Sequence, residues 1–422
     1  MIAELLNCYE KIEVKCGHFR RCGGCSFQDF AYCDQLKVKG EKLRELFFGS
    51  KIKSVDWDKM EMKIFGDDDY GYRTRMDYIV GKEGIGLRRK RRFDEIEFLD
   101  ECWLIDNDIF QLCQKIYEEG VGQGLIPYDL LEHSGYWRYL SLRVNERGEV
   151  MLIFVTSDDQ GQHEIFDGLW EEFSIFPLAG ISWCRNFQFP NISGEESINN
   201  KVISIFHLIN DGLADTNFGE VRKYWGEEKL FFEIAGLKIG IGPNTFFQNN
   251  IKLFNKLLER MLSWVNANDR VVDLYCGVGT LSLPLAQKVE KVWGVELNEG
   301  SVKMAEDNAK LNKIDKAEFV VRDLDKISDF QFLISKYKVE NNYNVLVVDP
   351  PRKGLEKAVD WIKEENWEKI IYLSCNPLTL LKDLEVLAEK YVIKDISFWD
   401  LYPQTPHVET LVLLERNRIV GE

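Results

Sequence analysis

The region after Pro243 constrains the fold most, because five short apolar segments alternate there with stretches of helical periodicity. The apolar segments are VVDLY, KVWGVEL, AEFVV, NVLVVD and KIIYLS. Strands that alternate with helices form βαβ units, in which the strands are parallel and helices cover both faces of the sheet. The last two apolar segments, DISFWDLYP and HVETLVLLER, have no helix between them and predict an antiparallel addition at the sheet edge. The fold class predicted is therefore α/β, with a Rossmann-like C-terminal domain.

The region before Pro243 has a different pattern. A cysteine-rich stretch is followed by a helical segment over Gln35 to Phe48, and residues 70–242 consist mostly of strand-like segments. YLSLRV and VMLIFVT flank the turn NERGE as a hairpin, and LFFEIAGLKIGI predicts another. We expect two regions, a β-rich one over 1–242 and an α/β domain over 243–422, which agrees with the two or three domains typical of 422 residues.

Charge gives two opposing indications about a nucleic-acid partner. The net charge of −16 argues against one for the chain as a whole. Residues 1–100, however, hold 20 Lys and Arg against 19 Asp and Glu, and they include the basic run from Arg88 to Arg92. That run is typical either of a phosphate-binding face or of a solvated strand end, and composition alone slightly favours the second.

The N-terminus, MIAELLNCYEK, lacks the features of a signal peptide, and no apolar run approaches the roughly 18 residues that span a bilayer. We therefore expect a cytoplasmic protein without a membrane partner. The cytosol keeps thiols reduced, so clustered members of the ten cysteines are expected to bind a metal or act in catalysis rather than form disulfides.

A glycine turn after the first of the five strands predicts a nucleoside site. Gly277 and Gly279 allow close backbone approach of a ligand, and Glu296 ends the next strand, where a carboxylate can bind ribose hydroxyls. Asp323 follows the third strand at the same edge and could reach an adenine amino group. The third glycine of the dinucleotide pattern and a phosphate-binding Gly-Lys-Ser/Thr loop are both missing, which favours S-adenosylmethionine over NAD or ATP. A plain tight turn is the alternative.

The fourth and fifth strands end in residues suited to chemistry. Asp349 stands before Pro350 and Pro351, which fix the loop, and Cys375 follows the next strand in SCNP. Arg352, where amine methylases carry an aromatic residue, disfavours amine methylation. A single cysteine is most often a buried thiol, but its place beside Asp349 and the donor site makes it a candidate nucleophile.

The motifs GPNTFFQNN, DLYCGVGTLSLPLA, GVELN, VDPPRKGL, YLSCNPLTLLKDL and HVETLVLL together resemble the RNA uracil-5-methyltransferases over residues 243–415. The stretch CGHFRRCGGCSFQ resembles the iron–sulfur branch of that family, which acts on ribosomal RNA. The resemblance implies that Cys375 is the nucleophile and Glu409 the base that removes the C5 proton. It also implies substrate or donor contacts by the remaining motif residues, namely Phe246, Gln248, Tyr275, Thr280, Glu296, Asp323 and Asp349. Thr280 departs from the asparagine common in the family, which puts that one contact in doubt.

The chemistry implied by the resemblance needs these residue types. Uracil C5 is a poor nucleophile, so the Cys375 thiolate adds to C6 and forms an enolate whose C5 attacks the methylsulfonium. A carboxylate within about 3 Å then takes the C5 proton and the thiol is eliminated. The target uridine must leave its stack, for which an aromatic platform such as Phe246 is useful.

Cys16, Cys22 and Cys25 supply three ligands of a metal site, and a cluster or a zinc site needs a fourth. Spacing alone favours Cys33, whereas the family resemblance points to Cys102 and a [4Fe-4S] cluster; zinc stays open. The other cysteines are expected to be buried thiols, namely Cys8, Cys33 if it is not a ligand, Cys113, Cys184, and Cys276 behind the glycine turn. We hypothesise that the cluster clamps its loop so that Arg20, Arg21 and the basic run face RNA phosphates.

The partner implied by the resemblance is RNA, with 23S ribosomal RNA favoured and transfer RNA as the rival, and a monomer is expected. The short N-terminus implies that the small β-barrel module of some ribosomal RNA enzymes is missing. Another alternative is an iron–sulfur sensor or RNA-binding protein on an inactive methylase fold. The intact motif residues Cys375, Asp349, Gln248 and Glu409 argue against such decay.

Overall fold

The computed structural model describes residues 6, 8–157, 164–174, 201–326, 328–329 and 342–417, apart from the side chain of Phe93. The strands, in chain order, are β1 (Met62–Phe65), β2 (Arg75–Gly81), β3 (Gly84–Arg89), β4 (Arg92–Phe98), β5 (Trp137–Val144), β6 (Glu149–Thr156), β7 (Lys201–Ile209), β8 (Glu220–Gly226), β9 (Leu230–Ile234), β10 (Leu237–Ile241), β11 (Arg270–Leu274), β12 (Lys291–Glu296), β13 (Ala317–Val321), β14 (Val345–Val348), β15 (Lys369–Ser374), β16 (Tyr391–Trp399) and β17 (Glu409–Arg416). The helices are Tyr32–Phe48, Asn107–Gly122, Ile165–Ser174, Ile251–Ser263, Ser282–Lys288, Glu299–Leu311, Ala358–Glu364 and Pro377–Leu387. Among the described residues no helix has both the length and the apolar character that a bilayer crossing requires.

The C-terminal region folds around an eight-stranded sheet in the order β1-β16-β17-β15-β14-β11-β12-β13. The five predicted strands, β11 to β15, pair in parallel, which confirms the α/β fold class. Strands β16 and β17 are antiparallel to each other, as predicted. The prediction that this pair forms the sheet edge is wrong on one point: β1, a four-residue strand from the N-terminal region, pairs in parallel with β16 and is itself the edge.

The middle of the chain forms a seven-stranded sheet in the order β4-β3-β2-β5-β6-β7-β8. The two predicted hairpins are present as the antiparallel pairs β5 with β6 and β9 with β10. Strand β8 lies at one edge of this sheet and is exposed along almost its whole length. The iron–sulfur character that we expected for this region has no support in the fold itself.

One N-terminal segment crosses the division proposed at residue 243. Leu43 and Phe47 of the first helix and Met62 of β1 lie in the same hydrophobic cluster as Val272 and Leu346 of the parallel sheet. Burial of apolar side chains is the main stabilising contribution to such a core. The two-region division therefore stays a proposal, and residues 43–65 pack as part of the C-terminal core.

Candidate active site

The register of the C-terminal sheet brings Cys375 and Glu409 together. Ser374 on β15 pairs with Thr410 on the antiparallel strand β17, so the next residues along, Cys375 and Glu409, lie opposite each other. Directly opposite residues of an antiparallel pair point to the same face. Asp349 follows β14, which pairs in parallel with β15, and therefore lies at the same edge of the sheet.

The electrostatics agree with this proximity. Burial, followed by the charges of Glu409 and Asp349, raises the pKa of the Cys375 thiol to about 11. Burial and then Asp349 raise the pKa of Glu409 to about 8, and burial raises that of Asp349 to about 7. Like charges crowded in a desolvated site disfavour their own ionised forms. The three groups therefore titrate close to neutral pH or above it, as is common for groups that transfer protons.

Arg352 supplies the opposite charge. Its guanidinium lowers the pKa of both Cys375 and Glu409 against the larger effect of burial. The DPPR and SCNP loops are joined because the Asn376 side chain donates to the Arg352 carbonyl at 2.9 Å. The Arg352 guanidinium also lies 3.4 Å from Nδ1 of His407, two residues before Glu409. The sequence analysis used Arg352 only as an argument against amine methylation. It did not predict that the positive charge of Arg352 acts on the Cys375 thiol.

Two further groups near this centre were not predicted. The Tyr402 hydroxyl is buried, which raises its pKa, and the charges of Glu409 and Cys375 add to that shift. Asp273, in β11, is fully buried and accepts a hydrogen bond from the Ser282 hydroxyl; burial raises its pKa to about 7. Its second oxygen, Oδ1, is buried without a partner. Asp273 opens the motif DLYCGVGTLSLPLA and Tyr402 lies in the segment DISFWDLYP, but the sequence assigned neither side chain a role.

The donor side lies at the ends of β11 and β12. Tyr275, Gly277 and Gly279 all have positive φ, of 65°, 54° and 85°, which the tight turn requires. The Glu296 carboxylate accepts hydrogen bonds from the amides of Gly277 at 3.1 Å and Asn298 at 2.9 Å. The space that a Gly277 side chain would occupy is open, so a nucleoside can approach the backbone there. Thr280, at the end of the turn, is partly buried.

Asp323 follows β13 at the same edge of the C-terminal sheet. Its strand β13 pairs with β12 so that Glu296 lies beside Val321, two residues before Asp323. The side chain of Asp323 is partly exposed, accepts a hydrogen bond from the Asp325 amide at 3.1 Å and lies 3.1 Å from the Lys326 ammonium. These contacts lower its pKa, the Lys326 bond most, so the carboxylate stays charged. The structure thus places Asp323 at the same edge of the sheet as Glu296, two residues beyond the residue that pairs with Glu296.

The loop 243–250 carries two further predicted contact residues, Phe246 and Gln248. Gln248 is buried, and its Oε1 atom has no hydrogen-bond partner, whereas Phe246 is 69% exposed. A buried, unpaired acceptor costs about 1–3 kcal/mol, so it is a natural contact for a donor group of a ligand. Arg143 of β5 donates to the carbonyls of Pro243, at 3.0 Å, and Thr245. Strand β5 of the middle sheet therefore fixes the backbone at the start of this loop.

The four predicted metal ligands, Cys16, Cys22, Cys25 and Cys102, line one cleft. All four are buried, and burial raises the pKa of Cys16 to about 11 and those of Cys22 and Cys25 to about 12. Cys33 does not line this cleft and is exposed. The prediction of buried thiols is confirmed for Cys113 and Cys276, wrong for Cys8 and Cys33, and falls outside the described residues for Cys184.

The cleft is not a ready site for a single ion. Among the residues that the structure describes, no three His, Cys, Asp or Glu side chains are close enough to hold one metal ion. A tetrahedral zinc at about 2.3 Å from each sulfur would draw the sulfurs to about 3.8 Å from one another. The four thiols line one cleft, and their role as ligands stays a prediction.

The basic residues of the N-terminal region are paired with carboxylates. Arg88 contacts Asp215, and Arg89 contacts Glu95 at 2.8 Å and Glu97 at 3.2 Å. Arg92 contacts Asp94 and Glu95, Arg20 contacts Asp29 at 2.8 Å, and Arg21 contacts Glu97 at 2.7 Å. The hypothesis that these arginines face phosphates must therefore account for acidic neighbours that already offset part of their charge.

Comparison with known proteins gives three consistent findings. Residues 231–417 match a family described as tRNA (Uracil-5-)-methyltransferase. The chain is 31% identical to an RNA methyltransferase of Caldanaerobacter subterraneus and 30% identical to the tRNA (uracil(54)-C(5))-methyltransferase of Pyrococcus furiosus, in each case over 96% of this chain and 86% of the relative. Its fold is similar to the crystal structure of the Pyrococcus abyssi tRNA (uracil-54, C5)-methyltransferase in complex with S-adenosyl-L-homocysteine, with a TM-score of 0.72 and 27% identity over 93% of this chain and 86% of that one.

Proposed function

Since this chain belongs to the RNA uracil-5-methyltransferase family and uses S-adenosylmethionine, we propose that it methylates C5 of a uridine through a covalent bond between Cys375 and uracil C6. The observation that carries this proposal is the register of β15 and β17, which sets Cys375 opposite Glu409. A nucleophile and a base on the same face are what addition to C6 and proton removal at C5 need.

The chemistry divides among this chain's own residues. The bound donor supplies a methylsulfonium carbon to C5. Cys375 forms the S–C6 bond that makes C5 nucleophilic, and that bond breaks again after methyl transfer. Glu409 takes the C5 proton while the electron pair of the C5–H bond forms the C5–C6 double bond and expels the Cys375 thiolate. Asp349, protonated near neutral pH because its pKa is about 7, can donate a hydrogen bond to a uracil carbonyl.

Arg352 supports the thiolate. Burial raises the pKa of Cys375, so a positive charge is needed to make the reactive form accessible. The Arg352 guanidinium is the cation that acts on this thiol, and the SCNP loop holds the Arg352 backbone through Asn376. We assign to Phe246, whose side chain is exposed, the role of a platform for the extruded base.

Two RNA substrates are proposed, in order of preference. The cysteine stretch resembles the ribosomal RNA branch of the family, and on that resemblance 23S ribosomal RNA is the first candidate. The two Pyrococcus relatives carry names that specify uracil 54 of transfer RNA, and this favours transfer RNA as the second candidate. Both substrates demand the same chemistry, so the site residues do not depend on the choice.

We also propose that Cys16, Cys22, Cys25 and Cys102 bind a [4Fe-4S] cluster. Support comes from the cleft that the four cysteines share and from their burial. Iron bound per chain in anaerobically purified protein should fall strongly in Cys102→Ser and stay unchanged in Cys33→Ser, since Cys33 is exposed. Full iron content in Cys102→Ser contradicts the ligand set, and zinc in place of iron contradicts the cluster.

The proposed reaction is tested by trapping the covalent intermediate. Fluorine at C5 cannot leave as a proton, so 5-fluorouridine RNA should stay bound to the protein through Cys375 after methyl transfer. A denaturing gel of protein, S-adenosylmethionine and either substituted ribosomal or transfer RNA should show a shifted band. The band should be lost in Cys375→Ala and kept in Glu409→Gln. A band in Cys375→Ala would exclude this cysteine, and the RNA that gives the band identifies the substrate class.

A further inference from the structure

The loop that leads into Glu409 is held by a distant part of the chain. We call residues 400–408 the base loop, since they end immediately before Glu409 at the start of β17. We call residues 16–39 the N-terminal arm; it contains three of the cleft cysteines and the first part of the helix Tyr32–Phe48. More than 360 residues separate the two segments in sequence, and they are in direct contact.

Gln404 is at the centre of this contact. It is 1% exposed and has a positive φ of 65°, a conformation that a side-chain-bearing residue adopts only when its surroundings hold it there. Its carbonyl accepts a hydrogen bond from the Ser26 amide at 2.7 Å, and its Oε1 accepts one from the Gln35 side chain at 2.9 Å. Ser26 directly follows Cys25, so this contact begins at the cysteine cleft.

A second contact anchors the start of the base loop. The Lys39 ammonium lies 2.7 Å from the Asp400 carboxylate, and both side chains are 0% exposed. Breaking a fully buried ion pair is strongly destabilising, although such a pair contributes little net stability compared with an apolar pair. Its geometric effect is to fix Asp400 relative to the arm. Between these two anchors, the Tyr72 hydroxyl donates to the Pro403 carbonyl at 3.0 Å.

We propose that the N-terminal arm, together with Tyr72, positions the general base: Gln404, Gln35, Lys39 and Tyr72 fix the base loop so that the Glu409 carboxylate meets the C5 proton. The inference rests on the proposed function, since it takes Glu409 as the base. A carboxylate must come within about 3 Å of the proton that it removes. A misplacement of about 1 Å by a distant mutation can cost about 100-fold in rate. The arm thus contributes to catalysis although it carries none of the reacting groups.

Positioning of Glu409 affects only the last step of the reaction, the removal of the C5 proton with release of the thiol. Formation of the S–C6 bond and methyl transfer need Cys375 and the donor, whereas Glu409 enters only when the C5 proton leaves and the S–C6 bond breaks. A displaced base therefore slows release of the methylated RNA but does not slow adduct formation, because the charge of Glu409 raises rather than lowers the pKa of the Cys375 thiol. General destabilisation of the protein would slow both steps together, which makes the two roles separable by experiment.

The experiment compares Tyr72→Phe and Gln404→Met with the wild-type protein. Tyr72→Phe removes a single hydroxyl, and Gln404→Met keeps the side-chain length while it removes the contact with Gln35. On unsubstituted RNA we expect the covalent adduct, seen on a denaturing gel, to accumulate as the release rate falls by about tenfold or more, because complete loss of a general base costs about 10²–10⁴-fold. On 5-fluorouridine RNA the rate of trapping should match that of the wild type.

Two controls separate the possible failures. Tyr117→Phe removes a tyrosine bond of the same kind, to the Gly81 carbonyl at 2.9 Å, and should leave both rates unchanged. Glu409→Gln should accumulate adduct on unsubstituted RNA; if it does not, the base assignment and the proposed mechanism fail. If Glu409→Gln behaves as expected but Tyr72→Phe and Gln404→Met slow trapping as much as release, or slow neither, the positioning role of the arm is overturned.

Discussion

At the scale of single residues, the protonation states of Cys375 and Glu409 decide the rate. Both groups act when deprotonated, and both have raised pKa values, of about 11 and about 8. The deprotonated fraction of each group therefore increases as the pH rises, and no descending limb comes from either group. We expect the single-turnover methylation rate at saturating donor to rise through pH 8, by up to about tenfold per pH unit while one group titrates.

The variant Glu409→Gln separates the titration of Cys375 from that of Glu409, because glutamine does not titrate. Trapping of 5-fluorouridine RNA by this variant depends on the thiol and not on the base, so its rate should still increase toward high pH without an inflection near 8. A methylation rate that falls between neutral pH and 8 would mean that loss of the Asp349 proton, with its pKa of about 7, limits the rate, whereas a rate that does not change with pH would contradict the assignment of both Cys375 and Glu409.

Residue-level prediction from sequence worked where a motif fixes the residue to the end of a strand. Cys375, Asp349 and Glu296 follow strands of one parallel sheet, and the carboxyl ends of such strands meet at one edge. Asp273 lies inside β11 and opens the motif DLYCGVGTLSLPLA, but it was assigned no role, because the motif does not show that its carboxylate is fully buried. Its partner Ser282 is nine residues away across the glycine turn.

At the scale of elements, the loop 243–250 depends on the middle sheet. Arg143, which is buried and whose pKa is lowered to about 9 by that burial, donates to the carbonyls of Pro243 and Thr245. In Arg143→Lys a single ammonium can satisfy one carbonyl well, and leaving the other unpaired costs about 1–3 kcal/mol. We expect faster hydrogen exchange of the amides in 243–250 and a KM for S-adenosylmethionine raised by about tenfold, since 1.4 kcal/mol corresponds to tenfold in affinity.

Arg138→Lys is the matched control for this change. Arg138 is another buried arginine of β5. It donates to the carbonyls of Asn210, Gly212 and Ala214 and not to the loop 243–250. This variant should leave the KM for S-adenosylmethionine unchanged. An equal increase in both variants would mean that the effect comes from damage to the middle sheet and not from the loop.

Elements were predictable where they are long and periodic. The five parallel strands and both hairpins follow from local hydrophobic patterns. Strand β1 was not predicted because MKIF has four residues and takes its structure from pairing with β16, more than 300 residues later. The contact between the N-terminal arm and the base loop was missed for the same reason, since Gln35 and Gln404 are 369 positions apart and no local pattern records their pairing.

At the scale of the whole molecule, the acidic net charge of −16 must be reconciled with an RNA substrate. Residues 1–100 are nearly neutral in total, and within them Arg89 and Arg92 share the carboxylate of Glu95 as a neighbour. Exposed ion pairs of this kind are worth little, about 0–1 kcal/mol, so a phosphate could displace the carboxylate. The pairing thus leaves the basic run competent to bind RNA while it reduces the charge available to do so.

Glu95→Gln tests this competition. If the basic run contacts RNA, removing the carboxylate frees Arg89 and Arg92 for phosphates, because Glu95 no longer offsets their charge. RNA binding should then become tighter at low salt, and the slope of log K against log salt should steepen by about 0.7 for each single-strand phosphate gained. Glu389→Gln, which removes the partner of Lys363 on the C-terminal region, is the control and should leave the slope unchanged. An unaltered slope in Glu95→Gln would place the basic run outside the RNA interface, as expected for a solvated strand end.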